Sequence, residues 1–109
     1  MALKANLVID QGTDFSTSIN VTNDDGDVVD LTGYTAAAQM RKHYTSSNAY
    51  SFVTSVNEIQ GIVTISMTAN TTGSIAAGRY VYDCELTSNT NVITRLVEGI
   101  VTVTPQVTR

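Results

Sequence analysis

Arg79-Tyr80-Val81-Tyr82-Asp83-Cys84-Glu85-Leu86-Thr87 is the stretch whose reading decides the fold. Tyr80, Tyr82, Cys84 and Leu86 occupy one parity, and Val81, Asp83 and Glu85 the other. Side chains of a strand alternate between faces, so this period of two predicts a strand with one face in a core and one toward water. Downstream, Ser88-Asn89-Thr90-Asn91 has the composition of a hairpin loop. Val92 to Val103 then reads as a long final strand, ended by Pro105, which lacks the N–H a ladder needs. Its apolar face changes near Gly99, where a bulge is expected.

The same period recurs upstream. Leu3, Ala5, Leu7 and Ile9 alternate, as do Phe15, Thr17, Ile19 and Val21 against Ser16, Ser18 and Asn20. Asp24-Asp25-Gly26-Asp27 has the chemistry of a tight turn, with Val28 and Val29 as a short return strand. Leu31-Thr32-Gly33 forms a second turn. Tyr34, Ala36, Ala38 and Met40 follow on one strand face, their small alanines suited to close packing. Lys42 to Asn48 is a loop tip, and strands are expected around Tyr50 to Val56 and from Gly61 to Met67. Between Thr68 and Gly78 the alternation lapses. A short helical turn is expected near residues 70–77, capped by Asn70 or Thr71 and closed by Gly78. Seven to eight short strands without a long helix indicate an all-β fold, a sandwich or a small barrel, of which a single antiparallel β-sandwich over residues 1–109 is the expectation.

Composition narrows the function. With 109 residues the chain holds one core. Charged residues are only 15%, so Thr, Ser and Asn supply the polarity. Ten acidic against six basic residues give a net charge of −4, which argues against nucleic acid or anionic lipid as a partner. No apolar run has the length of a membrane span, and Met1-Ala2-Leu3-Lys4-Ala5-Asn6-Leu7 lacks a signal-peptide core. Cys84 is alone, which excludes an intrachain disulfide and fits folding in a reducing cytoplasm.

Candidate chemistry is sparse. His43 is the single histidine and sits where a strand enters a loop, without an oriented partner or a nucleophile-elbow signature. Cys84 falls on the inner parity and reads as a small core residue. Asp24, Asp25, Asp27 and Asp30 raise a calcium reading, but an EF-hand loop would need acidic residues where Val21 and Thr32 stand. A solvated turn is the expectation. Asn20-Val21-Thr22 and Asn70-Thr71-Thr72 match the glycosylation acceptor pattern, which carries little weight in an Asn- and Thr-rich chain. No catalytic, cofactor or metal residue is assigned, and the protein is not expected to be an enzyme. Tyr34, Tyr80 and Tyr82 belong to core faces, whereas Tyr44 and Tyr50 flank the polar loop. There, with His43, they are the candidate partner contacts, or else they cover the edge of their own core. Long alternating strands at both termini suggest unprotected sheet edges, which favour life in an assembly.

Three segments carry a family resemblance. Asp25-Gly26-Asp27-Val28-Val29-Asp30-Leu31-Thr32-Gly33-Tyr34-Thr35 resembles a motif of small tailed-phage virion proteins, of the form Asp-Gly, spacer, Val-Asp-Leu-Thr-Gly. Ala77-Gly78-Arg79-Tyr80-Val81-Tyr82-Asp83 looks like the same family's "Ala-Gly-x-Tyr-x-Tyr-Asp" strand. Thr94-Arg95-Leu96-Val97-Glu98-Gly99, with Val101-Thr102-Val103-Thr104-Pro105, looks like its last strand. The likeness is to structural proteins of contractile-tailed phages of marine bacteria, cyanobacteria included, and more distantly to the N-terminal immunoglobulin-like domain of phage baseplate upper proteins, which implies an immunoglobulin-like form of the sandwich. It implies a non-catalytic virion protein, made in the host cytoplasm, that decorates or bridges head, neck, tail or baseplate components. Its implied partners are other virion proteins or copies of itself, with Leu31 and the tyrosines in the core and Arg95 paired with Glu98. The distant relatives continue into a receptor-binding arm; this chain stops at Arg109, so a standalone role is expected. The alternative is a carbohydrate- or host-surface-binding module using His43, Tyr44 and Tyr50.

Overall fold

A computed structural model of the protein describes residues 3–22 and 26–108. Nine strands and one helical turn lie among them: β1 (Leu3–Lys4), β2 (Leu7–Asp10), β3 (Phe15–Asn20), β4 (Thr35–Arg41), β5 (Tyr50–Ser51), β6 (Val53–Asn57), β7 (Ile62–Met67), α1 (Ala69–Gly73), β8 (Gly78–Thr87) and β9 (Ile93–Thr104). One sheet runs β1-β9-β8-β4-β5 with β2 also on β9; the other runs β3-β7-β6. This is the all-β sandwich expected, and its connectivity is of the immunoglobulin type.

The alternating positions become the core because each sheet turns one parity inward. Ala38 and Met40 of β4, Tyr80, Tyr82, Cys84 and Leu86 of β8, and Val97, Val101 and Val103 of β9 meet Val63, Ile65 and Met67 of β7. Phe52 closes the layer, its ring 6.2 Å from those of Phe15 and Tyr82. Leu31 is also fully buried. Its turn is held by the Asp30 carboxylate, which accepts from the Thr32 N–H (3.0 Å) and hydroxyl (2.6 Å). Those two bonds lower the Asp30 pKa.

Several local expectations are corrected. The pairing is not wholly antiparallel: β1 and β2 run parallel to β9, so the two termini cover each other instead of leaving two bare edges. The run from Tyr50 to Val56 is two strands, because the chain passes between sheets at Phe52, whose N–H donates to Ala38 O (2.9 Å). Val28 forms only an isolated bridge to Thr22. The helical turn is Ala69–Gly73, and its first amide is capped by Asp14 Oδ1 (2.7 Å), not by Asn70 or Thr71. Gly78 opens β8 rather than closing the helix.

The bulge lies at Leu96, not Gly99: Cys84 faces Val97 and Glu85 faces Arg95, leaving Leu96 unopposed. Gly99 has another task. A Cβ there would stand 2.1 Å from the Ala5 carbonyl oxygen, so only glycine lets the break between β1 and β2 lie this close to β9. Ala5 O is held by the Tyr82 hydroxyl (2.6 Å), and Asn6 Oδ1 accepts from the Ile100 N–H (3.1 Å).

Candidate partner-binding surfaces

The loop after β4 is a built turn. Arg41 Nη1 donates to Ser46 O (2.6 Å) and Nη2 to Gln39 Oε1 (3.1 Å). The His43 N–H donates to Ser46 Oγ (3.0 Å), and the Ser46 N–H returns to His43 O (3.0 Å). The loop therefore holds Tyr44 out, 78% exposed, at fixed height above the sheet.

The candidate residues do not form one surface. Tyr44 walls a concavity of about 340 Å³ on the solvent face of β4, β8 and β9, with Gln39, Arg41, Asp83, Glu85 and Arg95 around it. Tyr50 lies on the other side of the loop. It is half-buried, its ring edge-on to Tyr80 at 6.1 Å, so it covers the core. It borders a second concavity of about 470 Å³ with Lys42, Ser46, Asn48 and Tyr80. Lys42 Nζ sits 4.9 Å from the Tyr80 ring centroid, and the Tyr80 hydroxyl donates to Ala76 O (2.7 Å). His43 is exposed and lines neither hollow.

The Tyr44 concavity contains charges that strand parity foretold on β8 but not on β9. Arg95 and Glu98 are three apart, and in a regular strand they would point to opposite faces. The Leu96 bulge resets the parity and brings both outward. Arg95 then contacts Asp83 (Nε to Oδ2, 3.5 Å) and Glu98 (Nη1 to Oε1, 3.8 Å). With Arg95 half exposed, each contact contributes at most about 1 kcal/mol, so the pairs orient the guanidinium more than they stabilise the fold. Apolar residues flank the charges on the same face: Ile93 (64% exposed) at one end, and Val8 (62%) with Ile100 (40%) at the other. The face can offer ionic, hydrogen-bonding and apolar contacts together.

Among the described residues no group of three or more His, Cys, Asp or Glu side chains is placed to hold a metal ion. Of the carboxylates in the calcium reading, Asp24 and Asp25 lie outside the described residues, and Asp30 is engaged by its own turn. Cys84 is fully buried, and desolvation pushes its thiol up to about 11, with the charges of Asp83 and Glu85 adding to the rise. Among the described residues no helix is long and apolar enough to cross a membrane.

No protein-family model matches the chain, and no curated protein matches it. Among solved structures, an internalin-like protein of Listeria monocytogenes aligns with 94% of this chain at 13% identity and a TM-score of 0.45. The chain spans 28% of that protein's length. A likeness at this level carries no functional argument.

Proposed function

We propose that the protein is a non-catalytic, protein-binding β-sandwich that serves as a structural component of a phage particle. It is made in the host cytoplasm and decorates or bridges head, neck, tail or baseplate proteins. The observation that carries this reading is the surface: large apolar side chains stand exposed on sheet faces and loops, including Tyr44, Val8, Val53 and Ile93, in a chain with only 15% charged residues. Residues of this kind anchor protein contacts. The three segments that resemble phage virion proteins support it further, since they coincide with the Leu31 turn, β8 and β9, the parts that organise the core. Electron cryomicroscopy of the particle tests it. The reading expects density fitting this sandwich at a repeated position against other virion proteins, and a complete reconstruction without it would refute the assignment.

A second reading, saccharide binding, is favoured by Tyr44. An exposed aromatic ring beside carboxylates, an amide and guanidinium groups offers a stacking face and hydrogen-bonding partners for sugar hydroxyls. The surface differs from the one expected of His43, Tyr44 and Tyr50 together. Glycan-array binding lost on Tyr44→Ala but retained on Tyr50→Ala would favour it; no binding would remove it.

A further inference from the structure

We propose that two copies of this chain pair through the outer edge of β3, joining their three-stranded sheets into one continuous six-stranded sheet across a two-fold axis. The pairing of β3 with β7 runs Phe15↔Met67 to Asn20↔Ile62, and its next pair is closed by the Val21 N–H donating to Gly61 O (2.7 Å). Antiparallel ladders alternate, so the odd residues of β3 spend their N–H and C=O groups on β7. Those of Ser16, Ser18 and Asn20 therefore point to the outer edge, where no described element pairs with them.

The other edges are guarded. The β1–β2 edge is broken at Ala5 and Asn6 and carries Lys4 and Asp10, and β5 is two residues long. At β6, the Thr54 hydroxyl donates to Ala36 O (2.8 Å), and the preceding Phe52 N–H donates to Ala38 O, tying that side to β4. Edge β3 has no charge, proline or bulge in Phe15-Ser16-Thr17-Ser18-Ile19-Asn20. A free edge of this kind is a template for another strand.

The strand suits its own copy. A two-fold axis at Ser18 sets Ser18 against its mate and Ser16 against Asn20, so the three outward-pointing residues of each chain meet those of the other. The same register keeps the half-buried Phe15, Thr17 and Ile19 on the inner face, with Thr17 opposite Ile19. No like charges oppose each other, and the half-exposed ends of Phe15 and Ile19 continue the core across the junction.

Sedimentation of the whole chain from micromolar to millimolar concentration, with residue-resolved amide exchange, tests this. The expected result is a doubling of mass with concentration, accompanied by slowed exchange at Ser16, Ser18 and Asn20. Thr17 and Ile19 stay protected at every concentration. Ser18→Pro removes only an outward donor and yields a folded monomer; Ser18→Lys does the same by charge repulsion at the axis. Ser55→Lys, on the outer face of β6, leaves the dimer unchanged. A chain that stays monomeric throughout, or a dimer that both Ser18 variants leave intact, overturns the proposal.

Discussion

Gly99 is where one missing methyl group decides how the termini meet. Its α-carbon lies against the Ala5 carbonyl, and that carbonyl is also the acceptor of the Tyr82 hydroxyl. Gly99→Ala is expected to force Ala5 from β9 and cost about 1–3 kcal/mol, the usual range for overpacking, read as a lower urea midpoint at unchanged slope. A second residue-scale expectation concerns pH. Burial raises the Tyr82 phenol from 10.0 to about 12 and the Cys84 thiol from 9.0 to about 11. Both groups keep their protons in the folded chain after the unfolded chain has lost them. The stability they contribute is complete below about pH 9 and falls as pH rises through about 11 to 12. Urea midpoints measured at about pH 8 and about pH 11 check this, the second being the lower. At neutral pH a thiol reagent is expected to modify Cys84 only after unfolding. At this scale the inward identities of Tyr80, Tyr82, Cys84 and Leu86 were legible, because alternation reports a face directly. The exposure of Tyr44 and the burial of Tyr50 were not, since a tyrosine beside a polar loop satisfies either outcome until its neighbour Tyr80 is placed.

Elements were legible where they repeat a period and opaque where they break it. Strands β3, β4, β7 and β8 follow alternation, but the Leu96 bulge leaves no mark beyond a change of apolar face, which points as readily to Gly99. The error bears on the site, because the bulge is what sets Arg95 and Glu98 on one face with Asp83. Deleting Leu96 removes the extra residue and leaves Arg95 two positions from Glu98, so both are expected to stay on the outer face with the Arg95 contacts to Asp83 and Glu98 kept, read as an unchanged coupling in an Arg95→Ala, Glu98→Ala double-mutant cycle. The helical turn shows a similar limit. Its fully buried Thr72 donates to Thr13 O (2.7 Å) and accepts from the Gly12 N–H (3.1 Å). Those partners are some 60 residues away in sequence, out of reach of local capping rules. Thr72→Val keeps the shape and leaves both backbone groups unpaired, at an expected cost of about 1–3 kcal/mol in chemical denaturation.

At the scale of the molecule, the sandwich followed from strand count and turn spacing, but closure did not. Parallel pairing of β1 and β2 with β9 depends on contacts across about 90 residues, and a strand's sequence does not state the direction of its neighbour. That pairing protects the termini and moves the unguarded edge to β3. The candidate site was legible as a loop with aromatic residues and, through the family resemblance, as the Arg95–Glu98 pair that the structure contains; its place beside Tyr44 required the register of β4, β8 and β9. The proposed role is membership of a phage particle. Mass spectrometry of intact, washed virions against the infected-cell lysate tests it most directly. The account predicts the chain among the structural proteins retained by the washed particle. Its presence in the lysate and absence from the particle would contradict the account.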